Sequence, residues 1–221
     1  AVDAGREDAV DAAHDAVLAG EIGDLHQVII TSRDPGMPSR AYYETAGGLF
    51  RDMTIHDFDL ARFMLSEEPE EVFAVGGRMI DPGMMRELDD FDTAMVILRT
   101  ASGKQCHINN SRTAVYGHDQ RVELLGTTGM VISGNRKSQE LRRYSATATE
   151  TAAPYLNFFI ERYREAYVRE LDDFIAATAK EISVGRPGQP DDIASAVSFF
   201  CREDAGFVSG QVLYVAGGPR A

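Results

Sequence analysis

In the stretch GGLFRDMTIHDFDLARFML (47–65), Asp52 and His56 stand four residues apart at the head of an apolar, helix-like run. One helical turn puts such a pair on one face. A carboxylate there can accept an imidazole N–H, fix its tautomer and raise its basicity. The other ring nitrogen is then aimed outward, as a general base acting on a hydroxyl requires. The same spacing also fits an ordinary helix start, with Asp52 favoured by the helix dipole and His56 a surface group. No third ligand is placed by sequence to make the pair a metal site.

A second polar stretch, NNSRTAVYGHDQR (109–121), packs amides, Arg112, Tyr116, His118 and Asp119 between two apolar runs. Its mixture of donors and acceptors suits a polyhydroxy ligand, and it equally describes a solvated hairpin. TSRDP (31–35) is a third polar strand end, with Arg33 and Asp34.

These residues need elements to hold them. Val10, Ala13, Val17 and Leu18 recur at helical spacing within 3–19, and Gly20 and Gly23 stop that helix. DLHQVIITS (24–32) reads as a strand, and the two prolines of RDPGMPSRAYY (33–43) read as loop. A helix is expected from about Met53 to Leu65, with Ile55, Phe58, Ala61, Phe63 and Leu65 facing the core. Six short alternating or apolar runs follow between Glu71 and Ala146, too close together for crossover helices, so most neighbours should pair antiparallel. The acidic runs SEEPEE (66–71) and RELDDFD (86–92) read as solvated loops.

A long amphipathic helix is expected over 155–180, with Phe159, Tyr163, Tyr167, Leu171 and Phe174 as a core stripe. DDIASAVSFF (191–200) is a further helix, and QVLYV (211–215) is strand-like. The expected class is α+β: a large, mainly antiparallel sheet with helices on one face and no complete Rossmann domain.

Composition narrows the function. A net charge of −13 over 221 residues opposes nucleic acid and anionic membrane surfaces, which call for clustered Lys and Arg. No run is long and apolar enough to span a bilayer, and the acidic, Ala-rich start does not read as a signal peptide. The first residue, Ala1, hints at a fragment or processed product. Cys106 and Cys201 read as buried free thiols of a reducing cytoplasm. No two glycines are separated by a single residue, so a G-x-G-x-x-G dinucleotide loop is impossible within this chain. Walker, G-x-S-x-G and HExxH motifs are missing as well.

Three stretches (GEIGDLHQVIITSRDP, GGLFRDMTIHDFDLARFML and DTAMVILRTASGKQCHINNSRTAVYGHDQRVELLGTTGM) together resemble the C-terminal domain of the glucose–fructose oxidoreductase/inositol dehydrogenase family, and its inositol 2-dehydrogenase branch in particular. The likeness runs from about Ala16 to Ala179. It implies a substrate domain that works beside a Rossmann half, with NAD or NADP as cofactor. It also implies that Asp52 and His56 act with a lysine from that other half: the histidine takes the hydroxyl proton while hydride leaves the same carbon. Substrate-binding residues are then Arg33, Asp34, Thr54, Asn110, Arg112, Tyr116 and His118, with no cofactor-binding residue and no metal ligand in this chain. The open sheet face implies a homo-oligomer.

Two departures stand out. The glycine loop and catalytic lysine are missing, and Tyr116-Gly117-His118-Asp119 replaces a YGYD pattern whose second Tyr contacts substrate. The tail, 185–218, resembles instead the C-terminus of short-chain dehydrogenases, without their Y-x-x-x-K pair. The expected organisation is therefore a catalytic/substrate domain over 1–182 and a short-chain-dehydrogenase-like tail over 183–221. The expected function is the polyol-binding, acid/base half of an NAD(P)-dependent dehydrogenase, inactive alone and dependent on a Rossmann partner or upstream segment. The alternative is a non-catalytic polyol-binding or oligomerisation module.

Overall fold

The computed structural model describes residues 8–157, 159–206 and 212–218. They form two compact units that divide between Arg164 and Glu165.

The first unit is built on a six-stranded sheet. Helix α1 (Asp8–Leu18) leads to β1 (Leu25–Arg33), α2 (Arg40–Ala46), a π-helical turn (Phe50–Thr54) and α3 (Ile55–Leu65). Then come β2 (Pro69–Gly77), α4 (Pro82–Glu87), β3 (Thr93–Thr100), β4 (Gln105–Ser111), β5 (Asp119–Gly126) and β6 (Met130–Ser133). The sheet order is β2-β3-β4-β1-β5-β6. Only β1 and β4 pair in parallel, and the other four pairings are antiparallel. This is the mainly antiparallel sheet expected from the close strand spacing. The stretch 142–143 forms only a two-residue pairing with 151–152.

Strand alternation divides the sheet into two faces. Val96, Ile108, Ile30 and Val122 lie in one cross-strand row, all buried. With Val28, Leu98, Cys106 and Leu124 they form the core, packed against Ala13 of α1 and Ala61, Met64 and Leu65 of α3. Each such fully buried aliphatic side chain contributes about 1.5–3 kcal/mol. The opposite row, Phe73, Ile97, His107, Ile29, Glu123 and Ile132, faces outward, and Phe73 is 67% exposed. Helices thus cover one face only.

Several local expectations are corrected. Arg40–Ala46 is helix, because Ser39 caps it by accepting from the Tyr42 N–H. The acidic run 86–92 is not a solvated loop. Its Asp92 is fully buried and accepts the N–H groups of Met79, Ile80 and Asp81 at 2.7–2.9 Å. Asp90 is buried too, holding the N–H groups of Leu49 and Phe91. In α3 the buried positions are Asp57, Ala61, Met64 and Leu65, and Ile55 is 49% exposed. Ala61 and Leu65 are core as expected, and Phe58 and Phe63 pack partly against the core, so the departure is Ile55.

The short α5 (Phe159–Arg162) belongs to the first unit; the second unit holds α6 (Arg164–Glu181) from Glu165 onward, and α7 (Pro190–Phe200). Gln189 caps α7 in a reciprocal capping box with Asp192. Tyr167, Leu171 and Phe174 are exposed rather than core. The expected long helix is broken near Tyr163, and a unit this small has little with which to bury a stripe. Residues 212–215 form no strand, and Gln211 lies outside the described residues. Cys106 is buried as expected, whereas Cys201 is exposed at the end of α7.

Candidate functional site

The site lies where β1 and β4, running in parallel, reach their C-terminal ends side by side. Ser32 pairs with Asn110 and Arg33 with Ser111. Over these ends sits the π-turn that carries Asp52. Gly48 permits the approach: it has φ +90°, and Asp90 Oδ1 lies 3.2 Å from where a Cβ would stand. The same carboxylate oxygen takes the Leu49 N–H at 3.0 Å. Leu49 and Met53 are buried against Ala94, so the turn is anchored from below.

Asp52 is bound by two donors. Tyr42 Oη donates to its Oδ1 at 2.5 Å, and Arg112 donates to its Oδ2. This bond, followed by burial, raises the Tyr42 phenol above its ordinary pKa. Arg112 is 4% exposed and also donates to Asp34 at 3.1 Å, with its guanidinium over the Tyr43 ring at 5.5 Å. Burial alone would lower the Arg112 pKa, but its bonds to Asp52 and Asp34 outweigh burial and raise it. One guanidinium therefore bridges two carboxylates, the bidentate chemistry that arginine supplies and lysine does not. Asp52 and His56 do not bond to each other among the described residues. His56 is exposed, and neither ring nitrogen has a hydrogen-bond partner among the described residues. Its imidazole is thus available to a ligand.

Beneath this layer lies a second, buried network. Thr54 Oγ1 donates to Asn110 Oδ1 at 2.8 Å, and Asn110 Nδ2 donates to Asp57 Oδ2 at 2.6 Å. Ser32 takes a bond from Gln120 at 2.6 Å, and its hydroxyl lies close enough to oppose a rise in the Asp57 pKa. Thr54 and Asn110, expected as substrate contacts, are thus fully buried and bonded to protein. Asp57 is 2% exposed, and burial pushes its carboxyl up to about 7, against the lowering effect of Asn110 and Ser32. The sequence reading passed over Asp57. Its signal was its place on the 57, 61, 64, 65 stripe, where an acid has no reason to sit unless it is bonded.

A third group flanks the first. Arg33 donates to Asn109 at 3.0 Å and to Tyr116 Oη at 2.7 Å, and Tyr116 donates to Asp119 at 2.8 Å. Asp119 also takes bonds from Arg121 and Asn135. Burial would raise the Asp119 pKa, but these donors hold it below the usual carboxylate range. Gly117 makes the turn possible, with φ +113° and the Tyr155 carbonyl oxygen 2.7 Å from a Cβ position. His118 is buried edge-on to Tyr163, and neither ring nitrogen has a hydrogen-bond partner among the described residues. Burial lowers its pKa, aided by Arg162 and opposed by Asp34 and Asp119.

Among the described residues no group of three or more His, Cys, Asp or Glu is placed to hold a metal, and no helix is long and apolar enough to cross a membrane. The described sheet is not the doubly wound parallel sheet of a dinucleotide domain.

Comparison with known proteins places this architecture. Residues 159–219 match the family described as enoyl-(acyl carrier protein) reductase, extending the tail likeness upstream of Gly185. Inositol 2-dehydrogenase of Rhizobium meliloti (strain 1021) is 45% identical over 173 residues, which is 78% of this chain and 52% of that protein. The crystal structure of a myo-inositol dehydrogenase from Corynebacterium glutamicum ATCC 13032 matches with TM-score 0.73 at 41% identity, over 76% of this chain and 50% of that one. The scyllo-inositol dehydrogenase of Lactobacillus casei, solved with bound NAD(H) and scyllo-inositol, matches with TM-score 0.69 at 26% identity, over 76% and 51%. The chain thus spans about half the length of the relatives it matches. Residues 10–132 match the GFO/IDH/MocA C-terminal domain, and the chain belongs to that family.

Proposed function

We propose that the first unit is the polyol-binding, acid/base half of an NAD(P)-dependent inositol-type dehydrogenase. The observation that carries this reading is the Asp52–Arg112–Asp34 bridge beside an unengaged His56. His56 takes the proton of a substrate hydroxyl. Asp52, held by Tyr42 and Arg112, supplies negative charge beside the imidazolium that forms. Arg33, Asp34 and Tyr116 offer donors and acceptors to the remaining hydroxyls, whereas His118, buried with both ring nitrogens, lies out of their reach. Thr54 and Asn110 act from beneath, as supports.

A nicotinamide does not fit the described residues: they contain no glycine cradle and no parallel dinucleotide sheet. No step is therefore assigned to it within this chain, and turnover requires a nicotinamide-binding domain from elsewhere. Purified chain is expected to give no NADH with myo-inositol and NAD. Clear turnover that His56→Ala abolishes would refute that dependence.

A homo-oligomer through the open sheet face belongs to the same reading. The outward apolar side chains Phe73, Ile97, Ile29 and Ile132 in one row support it. A cytoplasmic home accords with two free thiols.

A further inference from the structure

Residues 52, 54 and 57 are each tied to the sheet, and His56 lies among them with no tie of its own. Arg112 holds Asp52, while Asn110, two residues earlier on the same strand, holds both Thr54 and Asp57. One amide therefore joins the π-turn, α3 and β4, and reaches β1 through the Ser32 carbonyl at 3.5 Å. The amide has direction: its oxygen accepts from Thr54 and its nitrogen donates to Asp57. Only an acceptor at position 57 completes it.

We propose that Asp57, acting through Asn110, is the positioning residue for His56, and that loss of the proton from its carboxyl loosens the turn bearing Asp52 and His56. The inference rests on the reading of His56 as the proton acceptor. Among the described residues no cation is paired with Asp57. The titratable groups coupled to it are Asp34, beyond the end of β1, and Cys106 on β4, and His56 precedes it in the chain. Asp34 opposes ionisation of Asp57. Burial, then the charge of Asp57, pushes the Cys106 thiol up to about 12, so it stays neutral. With its proton, Asp57 keeps an acceptor oxygen for Asn110 and buries no charge. Without it, the buried site holds an uncompensated anion.

Amide hydrogen exchange on the full chain, followed peptide by peptide without polyol, tests this. Asp57→Ala is expected to raise exchange over 53–58 at least about tenfold while the β1 and β4 peptides hold. Asp57→Asn, which keeps the acceptor and cannot ionise, is expected to restore protection to within about twofold of wild type. In wild type, protection of 53–58, corrected for intrinsic exchange, should fall as pH rises through about 7, and Asp57→Asn should flatten that profile. Unchanged exchange in Asp57→Ala, or no recovery in Asp57→Asn, would overturn the proposal. If Asp57→Ala does not fold, the pH profiles decide: parallel curves for wild type and Asp57→Asn overturn it. Because no polyol is present, failure of polyol binding leaves this result standing, and the reverse holds as well.

Discussion

Replacing Asp57 by Asn should make the chain more stable in mild alkali, although the change removes a charge from a hydrogen-bonded network. The Asp57 carboxyl is raised to about 7 from an ordinary value of 3.8, with burial the main cause. A carboxyl raised on folding favours the native state while both states hold the proton. That advantage is lost as pH climbs, because the unfolded chain ionises first and the folded chain resists up to about 7. A rise of about 3 in pKa corresponds to about 4 kcal/mol, an upper bound because local opening relieves the buried charge. Asparagine keeps the acceptor for Asn110 and never ionises. In urea unfolding, Asp57→Asn should gain up to about 3 kcal/mol on the wild type between pH 5 and pH 8. Comparison at each pH cancels the general repulsion of a chain with net charge −13. A difference between the two that does not change with pH would refute the assignment of a buried, proton-linked Asp57.

Further outcomes follow from the same packing. Arg112→Met leaves Asp34 and Asp52 without their shared cation and should cost about 3–5 kcal/mol in urea unfolding. Arg112→Lys should recover only part of this, since an ammonium lacks the two-pronged geometry. Gly117→Ala meets both a positive φ and the Tyr155 carbonyl, and should lower stability by about 1–3 kcal/mol in the same assay. On the open face, Phe73→Lys with Ile97→Lys should shift light scattering toward monomer and leave the far-UV circular dichroism of the folded chain unchanged, because both side chains are exposed within one chain.

Much of the sheet was legible because its strands alternate. The Ile30, Ile108 and Val96 row and the outward Ile29 and Ile97 both follow from period two. Most of the α3 core was legible, since Ala61 and Leu65 are buried and Phe58 and Phe63 pack partly against the core, but the first turn was not: Ile55 is exposed and the acid Asp57 is buried. Asp90 and Asp92 were misread as well: an acidic run looks solvated until backbone N–H groups several residues away converge on it. Family likeness drew attention to Asp52 and His56. It left unseen that Asp52 turns to Arg112 and Tyr42 rather than to the histidine four residues on. The tail stripe shows the opposite failure, since Leu171 and Phe174 have core-like spacing and yet are exposed.

The central claim is most directly tested by calorimetric titration of myo-inositol into the full chain, with and without NAD, for wild type, His56→Ala and Arg33→Ala. The account predicts saturable binding to wild type without NAD, weakened at least about tenfold in both variants. No saturable heat with wild type, or equal binding by all three proteins, would contradict it.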